Sequence, residues 1–190
     1  MGNYELKIIQ DDTAESPREW NNLGTFIMQH NKFEFGDRLF EAEPSTNSWD
    51  IAFKQHLKNV ENYHINNTIY LPVYMYDHSG ITISTSPFSC SWDSGQIGYI
   101  YATKEDIRVE YDVIRVSSKL KNKILSVLEA EIELLDNYLT GNIYCYELYK
   151  DSELIDSCYG FYGNDFREQM KKYLPEEVYK LLEKTEITYE

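Results

Sequence analysis

A chain of 190 residues with 32 acidic and 18 basic side chains carries a formal charge of −14 and has a pI near 4.7. Such a field repels nucleic acid and anionic membrane and argues against a phosphate-tracking binder, while it suits a basic partner or simple solubility. The length is that of one domain able to bury a core without staples, and 42% hydrophobic with 15% aromatic content is globular rather than disordered.

Seventeen tyrosines are an excess that suits half-buried sheet faces and interfaces with one wet end. The three cysteines, Cys90, Cys145 and Cys158, are odd in number and widely spaced, which predicts reduced thiols in a cytoplasmic protein. The first residues have no basic-then-apolar signal pattern, and no run approaches the roughly 18 apolar residues of a membrane span.

Tyr4 to Gln10 alternates apolar and polar residues and predicts a strand near a sheet edge. Asp11 to Glu15 is an acidic turn. Ser16-Pro17-Arg18-Glu19 has the signature of a helix start, with Ser as N-cap, Pro at the first position and Glu three residues after the Ser. Asn21, Asn22 and Gly24 keep that helix short. Thr25 to Gln29 predicts a strand or buried turn, and His30 to Asp37 a polar, aromatic loop. Ser45 to Asn62 predicts a helix capped by Asn47 or Ser48, with Trp49, Phe53, Leu57 and Val60, or else Ala52 and His56, on its buried stripe.

From Asn59 to Thr103 there is no Lys or Arg, and after Glu61 the only acids are Asp77 and Asp93. Strand formers fill this stretch, and it predicts the central sheet. Ile69 to Tyr76 carries Pro72, which marks an edge or a bulge. Asp77-His78-Ser79-Gly80 turns the chain, Ile81 to Thr85 returns antiparallel, and Gln96 to Tyr101 follows a polar, Gly-rich loop.

Thr103 caps a short helix opening at Lys104. Ser117 or Ser118 caps the longest helix, whose stripe of Leu120, Ile124, Val127 or Leu128, Ile132, Leu135 and Leu139 recurs three and four apart before the stop at Gly141. On this helix Lys119, Lys121 and Lys123 lie towards the N-terminus, and Glu129, Glu131, Glu133 and Asp136 towards the C-terminus. That is opposite to what the helix dipole favours, so tertiary pairing or a partner has set the charges. Asn142 to Lys150 and Leu154 to Phe161 predict a second hairpin around Asp151-Ser152-Glu153. Helices from Asn164 or Asp165 through Tyr173, and from Val178 to Lys184, complete the chain. The expected fold class is α+β: a single domain over residues 1–190, with helices packed on one mostly antiparallel sheet.

Two places carry candidate chemistry. The first is the 77–98 loop, where Asp77, His78, Cys90, Trp92, Asp93 and Gln96 can be drawn as a small-ligand pocket or a Cys–His–Asp hydrolase site. A reactive Cys needs a positive microenvironment, which a stretch without cations does not supply. The simpler reading has Asp77 and Asp93 closing turns, Cys90 under the loop and Trp92 packed on the sheet. No His pair at helical spacing and no Cys-x-x-Cys occurs, so no metal is expected, nor any cofactor. The second place is the acidic end of the long helix. There Glu129, Glu131, Glu133 and Asp136 can offer negative charge to a basic groove, or form an ordinary solvated face.

Ser16-Pro17-Arg18-Glu19-Trp20-Asn21-Asn22-Leu23-Gly24-Thr25, Tyr76-Asp77-His78-Ser79-Gly80-Ile81 with Cys90-Ser91-Trp92-Asp93-Ser94-Gly95-Gln96-Ile97-Gly98, Tyr138-Leu139-Thr140-Gly141-Asn142 and Cys158-Tyr159-Gly160-Phe161-Tyr162-Gly163 stand out as strings. Together they resemble a family of small phage and mobile-element proteins with no assigned activity, over nearly the whole chain. The resemblance implies an accessory protein in a bacterial cytoplasm and carries over no functional residue. With the charge and the lack of a catalytic signature, the expected function is binding to a host protein with a basic, nucleic-acid-binding surface. An inhibitor of a defence nuclease, of anti-CRISPR or anti-restriction type, fits that description. No direct nucleic-acid or membrane partner is expected, and a homodimer through a Tyr-rich sheet edge is the third possibility.

Overall fold

The computed structural model describes residues 3–40 and 48–189. In chain order the strands are β1 (Tyr4–Gln10), β2 (Thr25–Met28), β3 (Arg38–Leu39), β4 (Thr68–Asp77), β5 (Ile81–Ser84), β6 (Ser94–Thr103), β7 (Ile143–Lys150), β8 (Glu153–Tyr162) and β9 (Ile187–Thr188). The helices are α1 (Trp49–Asn59), α2 (Lys104–Glu110), α3 (Ser118–Leu139), α4 (Phe166–Met170) and α5 (Tyr179–Leu182). The class is α+β and the strand pairing mostly antiparallel, as the pattern predicts. The strands expected in one sheet form two, and the chain divides into two compact units: Met1–Ser16 with Asn137–Glu190, and Pro17–Asp136.

The first unit holds the sheet β8-β7-β1-β9. Strand β1 lies near the edge, as its pattern predicts: β7 pairs antiparallel along its full length and the two-residue edge strand β9 lies parallel on its other side. Leu6 and Ile8 point into the core while Glu5 and Lys7 stay exposed. The hairpin β7–β8 turns on Asp151 and Ser152, both at positive φ (52° and 72°), which matches the strands' twist in a two-residue turn. Tyr146, Leu148 and Phe161 of the sheet bury against Phe166 and Met170 of α4, and Leu182 of α5 joins them. Helix α4 ends three residues short of the predicted Tyr173.

The second unit holds the sheet β3-β2-β6-β4-β5. Strand β6 is central and buried from Ile97 to Thr103, which requires cover on both faces. On one face Tyr99 and Tyr101 meet Ala52, Phe53 and Leu57 of α1, with Phe53 and Tyr99 stacked at 4.1 Å between ring centroids. The buried stripe of α1 is thus Ala52, Phe53, His56 and Leu57, taken from both predicted alternatives, while Val60 is exposed. Ser48 occupies the N-cap position without a side-chain bond; Ser45 to Asn47 lie outside the described residues. On the other face Ile100 and Leu128 of α3 both crowd the place a Cβ would take at Gly24.

Pro72 has both features its type requires. Strand β5 pairs only with Tyr74 to Asp77, so β4 is locally an edge at Pro72, and its register shifts at the next residues, Val73 and Tyr74. Thr103 caps α2 by accepting the amide of Asp106 at 3.1 Å, and the Ser117 hydroxyl accepts the amide of Leu120 at the start of α3.

Two predictions follow from this packing. A Cβ at Gly98 would run into the carbonyl of Ile27 on the neighbouring strand, so Gly98→Ala is expected to destabilise the fold by about 3 kcal/mol or more in urea unfolding. Burial also pushes the phenols of Tyr99, Tyr101 and Tyr146 above their ordinary value of 10, with the carboxylates of Asp50, Glu61 and Asp156 adding to it. Groups with raised folded values lend stability that is complete below pH 10 and lost as pH climbs through those values. The thermal midpoint should therefore fall above pH 10, with part of the tyrosinate absorbance appearing only on unfolding.

Candidate functional site

The segment after Pro17 runs through a single 3-10 turn and then an irregular loop, so its backbone donors need partners from elsewhere. Arg18 and two carboxylates supply the order. Its guanidinium donates to Asp37 through Nε at 2.8 Å and Nη2 at 2.5 Å, to Glu131 Oε2 through Nη1 at 3.0 Å, and to the Gly24 carbonyl at 2.6 Å. The carboxylates then take the loose amides: Glu131 Oε1 accepts Leu23 and Gly24 at 2.9 and 3.1 Å, and Asp37 Oδ2 accepts Phe26 at 2.7 Å. The Arg18 side chain is 7% exposed. Burial works against its charge, but the two carboxylates outweigh that and hold it protonated. Gly24 is where the Glu131 carboxylate comes closest; a Cβ there would meet Glu131 Oε2 at 2.8 Å.

This network separates the four helix acids. At about 100° per residue, positions 129, 133 and 136 share a face and 131 points nearly opposite. Glu131 is buried and bound to Arg18, so it does not join a partner-facing patch with the others. Glu129 and Glu133 are exposed. Asp136 accepts the Ile83 amide and the Thr82 hydroxyl, both at 2.7 Å, and so covers the outer edge of β5. Between α3 and β5 lies a groove of about 350 Å³ rimmed by Glu129, Glu133 and Asp136, with Ile132, Ile83 and Phe88 among its apolar lining.

In the 77–98 loop, four of the six expected residues come together. The Asp77 amide donates to the Asp93 carbonyl at 2.8 Å. Asp93 Oδ2 lies 3.2 Å from His78 Nδ1 and 3.9 Å from Cys90 Sγ. The carboxylate thus stands between imidazole and thiol, whereas a Cys nucleophile needs the imidazole against sulfur with the carboxylate behind it. A cation does reach the stretch, since Lys32 Nζ is 3.5 Å from Asp77 Oδ2. Trp92 stands clear of the sheet at 95% exposure, and Gln96 donates to the Gly98 carbonyl.

Sequence reasoning missed a larger feature. A cleft of about 630 Å³ opens beside the Arg18 network, lined by Asn22, Arg38, Glu61, Tyr63, Tyr101 and α2 among others. In its lining Arg38 pairs with Glu61, and the buried Tyr101 phenol is pushed up by burial and by the Glu61 charge. Its residues come from five separate stretches of chain, and no local spacing marks them. Only the excess of tyrosine hinted at it.

Among the described residues no group of three or more His, Cys, Asp or Glu is placed to hold a metal ion, and no helix is long and apolar enough to cross a membrane. The chain matches no protein-family model, no curated protein and no solved structure.

Removing one member of the buried network leaves the others uncompensated. Glu131→Ala is expected to cost about 3 kcal/mol or more in urea unfolding, and Glu129→Ala, two residues away, no more than about 0.5 kcal/mol.

Proposed function

We propose that this is an accessory protein of a phage or mobile element that works in the bacterial cytoplasm by binding a host protein. The partner presents a basic, nucleic-acid-binding surface, and the chain occupies it in place of nucleic acid, as an inhibitor of a defence nuclease does. The observation that carries this reading is the charge of −14, together with Glu129 and Glu133 standing exposed one turn apart beside the α3–β5 groove. Glu131, which would otherwise look like part of the same patch, is spent inside the fold. Carboxylates on a rigid helix offer a basic groove fixed negative charges, and association of this kind weakens steeply with salt.

A second reading, a small-ligand binder or hydrolase at the 77–98 loop, has in its favour the contact of Asp93 with both His78 and Cys90. Loss of an enzymatic or ligand-binding activity in Cys90→Ser and His78→Ala alike would support it.

The first reading is tested by capturing partners from bacterial lysate at about 50 mM and about 500 mM salt. The expected outcome is a basic nuclease retained at low salt, released at high salt, and inhibited by the purified protein. In Glu129→Lys/Glu133→Lys its retention should drop at least about tenfold with the fold intact. Retention indifferent to both salt and the double reversal would make that face merely solvated.

A further inference from the structure

The large cleft has a definite electrostatic character. Two of its carboxylates are already matched: Glu131 by Arg18 and Glu61 by Arg38. The charges left over belong to Asp106 and Glu110 of α2. Asp106 uses Oδ2 to accept the Thr103 hydroxyl at 2.6 Å, and Glu110 is exposed. Asn22 spends its amide hydrogens on the carbonyls of Pro17 and Trp20, which leaves its oxygen as an acceptor. The charged side chains that α2 contributes to the lining, Asp106 and Glu110, are both negative, and with Arg38 already held by Glu61 they favour a cation over an anion. Of the three tyrosines in the lining, Tyr101 is 2% exposed, so the half-buried Tyr63 and Tyr111 supply the aromatic part that a ligand can reach. One of them already carries a cation: Lys123 Nζ lies 4.7 Å from the centroid of the Tyr111 ring.

We propose that this cleft receives the guanidinium of an arginine side chain from a basic protein partner. A planar guanidinium both stacks on phenol rings and donates several hydrogen bonds to carboxylate and amide oxygens, which is what this lining offers. An ammonium does only part of this. The proposal rests on the reading above for the source of the arginine, but not for the chemistry of the cleft. Val127 and Glu131 place the cleft on the side of α3 opposite Glu129 and Glu133, so that pair contributes to the overall field and the cleft is a separate, specific socket.

The test titrates the full ¹⁵N-labelled chain with the blocked tripeptide acetyl-Gly-Arg-Gly-amide, and separately with agmatine as a free guanidinium. The peptide should give saturable shifts confined to the cleft residues, with a dissociation constant in the millimolar range on the order of one small ligand group. Glu110→Gln should weaken binding about tenfold, and Lys123→Met, which clears the Tyr111 ring, should tighten it severalfold. A merely structural role for either residue would not give these opposite shifts. No saturable shift with the peptide overturns the proposal, as does binding indifferent to Glu110→Gln. Agmatine binding without peptide binding overturns the protein source. Peptide binding with no basic partner in lysate keeps the socket and sinks the inhibitor reading, whereas a salt-sensitive partner with no peptide binding does the reverse.

Discussion

One buried guanidinium, shared between two carboxylates, organises the larger unit. Arg18 comes from the segment before β2, Asp37 from the loop before β3, and Glu131 from the middle of α3. Taking three charges out of water is costly unless each is paired and its remaining hydrogen-bonding capacity is used. Here it is used: the amides of Leu23, Gly24 and Phe26, and the carbonyl of Gly24, are partners of the same three side chains. The network thus does for an irregular loop what a ladder does for a strand. It also explains the specific spelling of that segment, with Arg at 18 as the hub and Gly at 24 where a carboxylate approaches.

The same network bears on the inverted charge of α3. A helix with lysines near its start and acids near its end is disfavoured locally. Tertiary contacts offset this one by one: Glu131 holds Arg18, Asp136 takes the exposed edge of β5, and Lys123 lies over Tyr111. The acidic face that α3 turns outward is narrower than the composition suggests. Glu129 and Glu133 form the exposed pair, and the cleft beside α2 keeps Asp106 and Glu110. On the proposed reading, charge inside the fold specifies the structure and charge outside it selects the partner.

Much of the fold was legible because it rests on local rules. The hairpins, the caps at Thr103 and Ser117, the Pro72 irregularity and the long helix each follow from a period or a turn residue. The division into two units left no trace, since one boundary falls at Ser16 and Pro17 and the other inside α3, with no linker at either. The acidic face was misgrouped for a geometric reason: 129, 131 and 133 are neighbours in a strand's period, not a helix's. Trp92 looked like a packing residue because aromatics usually are, yet its loop is closed by backbone and Asp93 contacts that leave the ring outside. The large cleft was illegible because five separate stretches converge on it.

The central claim is that this chain takes the place of nucleic acid on a basic protein surface. Competition tests it most directly: the retained partner is loaded with fluorescent duplex DNA and titrated with the chain while anisotropy is followed. The account predicts complete displacement of the DNA, with a midpoint that rises in proportion to the DNA present. A ternary complex, in which anisotropy increases as the chain binds beside the DNA, would contradict it.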